Sequence, residues 1–140
     1  MLSDSVLKGK VILVADDKPD VLETVTEELD ICLVHKASDY DSALQYLLGH
    51  TYDIVILGVE GATCLKLLEL SVSSGFPTVL LTLHPLSVEQ LKKRINLDAV
   101  FFHPKERLSE LRAFLEQVAL GGRKTAWQKL FARFDSYFGR

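Results

Sequence analysis

Cysteine is scarce in this chain. Cys32 and Cys64 are the only two, which excludes a disulfide framework, and no paired Cys/His spacing points to zinc. Both are expected to be reduced, partly buried thiols. Long apolar runs are also missing. No stretch approaches the roughly 20 apolar residues that cross a bilayer, and the opening MLSDSVLKGK has no apolar run of secretory-signal length. The expected location is the cytoplasm. Charge of one sign is lacking too. Sixteen Lys and Arg face 19 Asp and Glu, for a formal net charge of -3, so the chain alone is not expected to bind nucleic acid. Also absent are a Gly-rich phosphate loop, a dinucleotide fingerprint and a nucleophile with a paired base. No enzyme activity and no catalytic residue are therefore expected.

What is present suits one globular domain. The 140 residues can enclose a proper core, and 48% hydrophobic with 25% charged residues is ordinary for a soluble protein. Short apolar runs alternate with helical patterns. Val11-Ile12-Leu13-Val14 reads as a strand buried on both faces and ends at Ala15-Asp16-Asp17. A helix follows, with Pro19 in its first turn, Asp20 and Glu23 at the positive end of its dipole, and Val21, Leu22, Val25 and Leu29 as its apolar stripe. Residues 32–37 read as a second strand. Ser38 or Asp39 can cap a helix whose apolar face is Ala43, Leu44, Leu47 and Leu48, with Gly49 as its stop. Ile54-Val55-Ile56-Leu57 is the third strand. Residues 62–73 make a helix on Leu65, Leu67, Leu68 and Leu70. Thr78-Val79-Leu80-Leu81 is the fourth strand, followed by a short helix capped by Ser87 and carrying Val88, Leu91 and Ile95. Ala99-Val100-Phe101-Phe102 is the fifth, followed by a helix over 107–120 on Leu108, Leu111, Leu115 and Val118.

Five strands alternating with five helices predict an α/β fold with a parallel sheet wound on both faces. In such sheets the functional site lies beyond the carboxyl ends of the strands. That places Asp16, Asp17, Gly58, Glu60, Thr82 and His103 at the candidate site. The reading divides the chain into a domain over 1–121 and an extra C-terminal helix over 122–140. In the tail, Trp127, Leu130, Phe131, Phe134, Tyr137 and Phe138 recur at helical spacing and form an aromatic stripe. Five basic residues oppose the single Asp135 there. Trp127, Phe131, Phe134, Tyr137 and Phe138 are expected to dock a partner or a second copy of the chain, giving a homodimer. A membrane-surface helix is the weaker reading.

From about Lys10 to Leu120 the chain resembles the receiver domain of bacterial response regulators. The resemblance rests on Val14-Ala15-Asp16-Asp17-Lys18-Pro19-Asp20, on Tyr52-Asp53 leading into the third strand, on Pro77 to Thr82, and on Pro104 after the fifth strand. It implies a flavodoxin-like sheet of order 2-1-3-4-5. It also implies a phosphorelay chemistry, in which an aspartate ending the third strand takes a phosphoryl group from a sensor kinase. The acid pair and that aspartate hold Mg²⁺, while a hydroxyl after the fourth strand and a lysine after the fifth bind the phosphoryl oxygens.

Aligned on that pattern, Gly58 stands where the phosphorylated aspartate belongs. Asp53 cannot replace it, because five residues of strand separate the two by roughly 16 Å. Val59-Glu60-Gly61 looks shortened against the family loop. His103 stands where the lysine is expected, Leu83 where a small residue is usual, and Val100, beside Phe101, at the switch aromatic. Thr82 is retained, though a threonine ending a strand also serves structure. Asp16 and Asp17 are the residues that would hold a cation, but two acids are few for Mg²⁺ and no cofactor is expected. With no third carboxylate and no lysine beside them they should repel, raising one pKa unless His103 or a cation compensates. Glu60 could supply a fixed negative charge.

The expected function is that of a pseudo-receiver: a protein-interaction module independent of phosphorylation, with a sensor kinase, an effector or a second copy as partner. One alternative is the receiver part of a larger regulator whose effector domain is missing. Another is a small-ligand binder or enzyme on the flavodoxin-like fold, since fold alone does not decide function.

Overall fold

The continuous aliphatic runs become the inner strands of a parallel sheet, where both faces are covered and alternation with polar residues is not required. The computed structural model of the chain describes residues 5–58, 62–82 and 100–120, the side chains of 62, 63 and 82 excepted. Within them the order is β1 (Val11–Ala15), α1 (Pro19–Glu28), β2 (Leu33–Ala37), α2 (Tyr40–Gly49), β3 (Ile54–Leu57), α3 (Ala62–Ser73), β4 (Thr78–Thr82), β5 (Val100–Pro104), a 3-10 helix (Lys105–Glu110) and α4 (Leu111–Ala119). All strand pairs are parallel, as the doubly wound reading requires, and the sheet order is β2-β1-β3-β4-β5, the one the resemblance implies. The expected helix from Ser87, Leu83, Glu60 and the tail from residue 121 lie outside the described residues.

Side chains alternate across each strand and so divide the core in two. Leu13, Ala15, Val55, Leu57, Leu80, Val100 and Phe102 face α2 and α3. Ile12, Val14, Ile54, Ile56, Val79, Leu81 and Phe101 face α1 and α4. The N-terminal segment closes the second layer. Leu7 is fully buried there, and the Ser5 hydroxyl donates to Glu116 on α4 at 2.7 Å.

Local chemistry sets the helix ends. Pro19 opens α1 without forfeiting a hydrogen bond, because the first N–H groups of a helix have no partner within it. Asp39, not Ser38, caps α2: its carboxylate accepts the Ser42 N–H at 2.8 Å, which holds that carboxyl below its ordinary range. Three sequence expectations need correction. Leu48 is 68% exposed, because Ala43 and Leu47 already point at the sheet and the next residue is turned about 100° away. On α3 the fully inward stripe is Cys64, Leu67, Leu68 and Ser71, while Leu65 and Leu70 are half-buried. The last helix is not continuous over 107–120, since Arg107 has non-helical angles (φ -120, ψ 44) and separates the 3-10 turn from α4.

Beside β2, aromatic rings pack on one another. His35 Nδ1 shares a hydrogen bond with the Tyr52 hydroxyl at 2.8 Å, and its ring stacks on Tyr46 at 4.9 Å. Burial pushes the Tyr52 phenol up to about 12.

Candidate functional site

Strand register assembles the site. Ala15 pairs with Leu57, so the residues that follow, Asp16 and Gly58, emerge side by side at adjacent strand ends. Backbone hydrogen bonds continue just past the strands: Gly58 N–H donates to the Ala15 carbonyl at 2.7 Å and Asp16 N–H to the Ala37 carbonyl at 3.1 Å. The two acids then part. Asp16 is fully buried, whereas Asp17 is exposed. Asp16 Oδ1 accepts the Lys18 N–H at 2.8 Å, forming the turn into α1.

Asp16 Oδ2 points toward Gly58. A Cβ at position 58 would overlap that oxygen and stand 3.0 Å from Asp16 Cγ. The carboxylate thus fills the volume in which a side chain at 58 would begin. Left-handed backbone angles occur at Gly9 and Gly75 among the described glycines, and position 58 is not one of them.

The expectation that no lysine reaches this pocket is corrected. Lys105 Nζ lies 3.0 Å from Asp16 Oδ2 and donates to the Gly58 carbonyl oxygen at 3.1 Å. Its side chain is only 5% exposed. The Nζ–Oδ2 approach is a buried ion pair. Burial raises the Asp16 carboxyl above its ordinary value. The Lys18 N–H and Lys105 oppose that rise, and repulsion from Asp17, the cause expected from sequence, is the smallest contribution.

His103 has a different place. It pairs with Leu81 inside the sheet and projects on the same face as Phe101. Its ring packs on Phe114 of α4 at 5.2 Å, and Nε2 lies 2.8 Å from the Arg107 carbonyl oxygen. It is 4% exposed, buried within the fold. The cause is the length of β5, which runs to Pro104 and not to Phe102. The first side chain beyond the strand is therefore Lys105. The signal was the Pro104-Lys105 step itself, read two residues out of register. Thr82 ends β4 opposite Pro104. The site thus brings together Asp16, Gly58 and Lys105 and leaves Asp17 at the surface.

No protein-family model and no curated protein sequence matches the chain. Solved structures do. The chain is similar to the response regulator RcsB of Salmonella typhimurium (TM-score 0.64, 17% identity, 81% of this chain and 61% of that one). It is similar to DrrB, an OmpR/PhoB homologue of Thermotoga maritima (0.64, 19%, 78% and 52%). It is also similar to the signal receiver domain of an HD domain-containing protein of Pseudomonas fluorescens Pf-5 (0.64, 25%, 89% and 96%). The chain spans about three fifths and about half of the first two. The fold is that of response regulator receiver domains.

Proposed function

We propose that this chain is a receiver-type module of two-component signal transduction that acts by binding a protein partner and takes no phosphoryl group itself. The observation that carries this reading is Gly58. Phosphoryl transfer to a receiver needs a carboxylate nucleophile at the end of β3. Here that position has no side chain, and the volume beside it holds the Asp16 carboxylate, itself engaged by Lys105. The partner is a sensor kinase, an effector or a second copy of the chain.

The test is incubation with acetyl phosphate and Mg²⁺, or with beryllofluoride and Mg²⁺, followed by intact mass measurement and calorimetry. The expected outcome is no phospho-adduct and no saturable beryllofluoride binding. A stoichiometric adduct would overturn the reading.

The partial coverage of RcsB and DrrB supports a second reading, a receiver that works within a longer regulator. The length of the native gene product separates the two.

A further inference from the structure

We propose that the Lys105 ammonium is the resident cation of this pocket, standing where a receiver-type site takes a divalent ion, and that it pins the start of the 3-10 helix to the ends of β1 and β3. The inference rests on the reading that position 58 carries no phosphoacceptor, and it concerns the ion that would accompany such a group.

With Lys105 in place, the described residues do not fit a divalent cation. Magnesium requires several oxygen ligands at about 2.1 Å in near-octahedral array. Gly58 offers only its carbonyl oxygen, Asp16 Oδ1 already accepts the Lys18 N–H, and Asp17 is exposed. Among the described residues no three His, Cys, Asp or Glu side chains converge on a point that could hold a metal. Of the described oxygens at the strand ends, Asp16 Oδ2 and Gly58 O are the two that Lys105 Nζ approaches, at 3.0 and 3.1 Å. An ion bound to both would have to stand in the space Nζ fills, against its positive charge.

The tethered cation also does what a free ion cannot. Lys105 is the first residue of the 3-10 helix, which leads directly into α4. Its side chain ties that helix start to Asp16 after β1 and to Gly58 after β3. A lysine is rarely this buried unless it is paired, and the Asp16 carboxylate supplies the charge that permits it. Occupancy of the site is consequently independent of ion concentration.

Manganese titration of the ¹⁵N-labelled full chain tests the proposal, because Mn²⁺ broadens only amides close to where it binds. In the wild-type chain the Gly58 amide signal is expected to persist through millimolar Mn²⁺. In Lys105→Met, which keeps most of the stem but removes the charge, the Gly58 signal should be lost on Mn²⁺ addition. Adding Asp16→Asn to that variant should restore it. Loss of the wild-type Gly58 signal in an Asp16-dependent way would overturn the proposal, as would a folded Lys105→Met chain whose Gly58 signal is untouched. Should Lys105→Met not fold, the wild-type arm and Lys105→Gln carry the same decision. Manganese broadening of wild-type Gly58 without a phospho-adduct defeats this inference alone, whereas an adduct defeats the reading it rests on.

Discussion

At position 58 the choice of glycine answers to a neighbouring side chain and not to a backbone angle. Most glycines that matter structurally are needed for left-handed φ, but here the constraint is the Asp16 carboxylate in the space of a Cβ. Glycine and the Asp16–Lys105 pair are therefore one arrangement. A larger residue at 58 must push Asp16 off Lys105 or move a strand end. Gly58→Ala is expected to cost about 1–3 kcal/mol, the usual range for overpacking a filled site, measured by urea unfolding. In an Asp16→Ala background the same substitution should cost distinctly less, because the obstructing oxygen is gone. Additive costs would show that Asp16 does not set the choice. By the same geometry Gly58→Asp alone should not recover a functioning acceptor.

At the scale of elements, rotation of a helix by one residue separates core from surface. Leu47 and Leu48 are chemically identical neighbours on α2, yet one is 3% exposed and the other 68%. Leu47→Ala should destabilise by about 2–5 kcal/mol through lost burial and a residual cavity. Leu48→Ala should stay within about 0.5 kcal/mol. Thermal melts of the two variants check the orientation of α2 directly, and equal losses would contradict it. The β5 strand teaches the complementary lesson. Its two extra residues turn His103 inward onto Phe114 and leave Lys105 as the first side chain past the sheet. A two-residue shift keeps the face of a side chain, because strands repeat with period two, but it changes which residue reaches the strand end.

For the described residues as a whole, the sheet carries a helix layer on each face and the candidate site lies along the row of strand ends. Among the described residues no helix is long and apolar enough to cross a membrane. The aromatic stripe of Trp127, Phe131, Phe134, Tyr137 and Phe138 was read from spacing and lies outside the described residues. We propose that it docks a second copy or a protein partner. Light scattering of the full chain against a version ending at Gly121 is expected to show a dimer mass for the first and a monomer mass for the second. Monomer masses for both would count against self-docking.

The chain's periodicity by itself determined the order of the strands and α-helices among the described elements, though not the 3-10 turn after β5, because buried parallel strands need unbroken aliphatic runs and their covering helices need apolar stripes. It also marked Asp16 and Gly58, since strand ends can be counted along a sequence. Three things were decided only by the tertiary structure. Burial separated Asp16 from Asp17, and the true end of β5 sent Lys105, not His103, to the acid. The space beside position 58 was filled by Asp16 from the neighbouring strand end. Each depends on which atoms meet between strands distant in sequence, and local patterns of hydrophobicity do not encode that register.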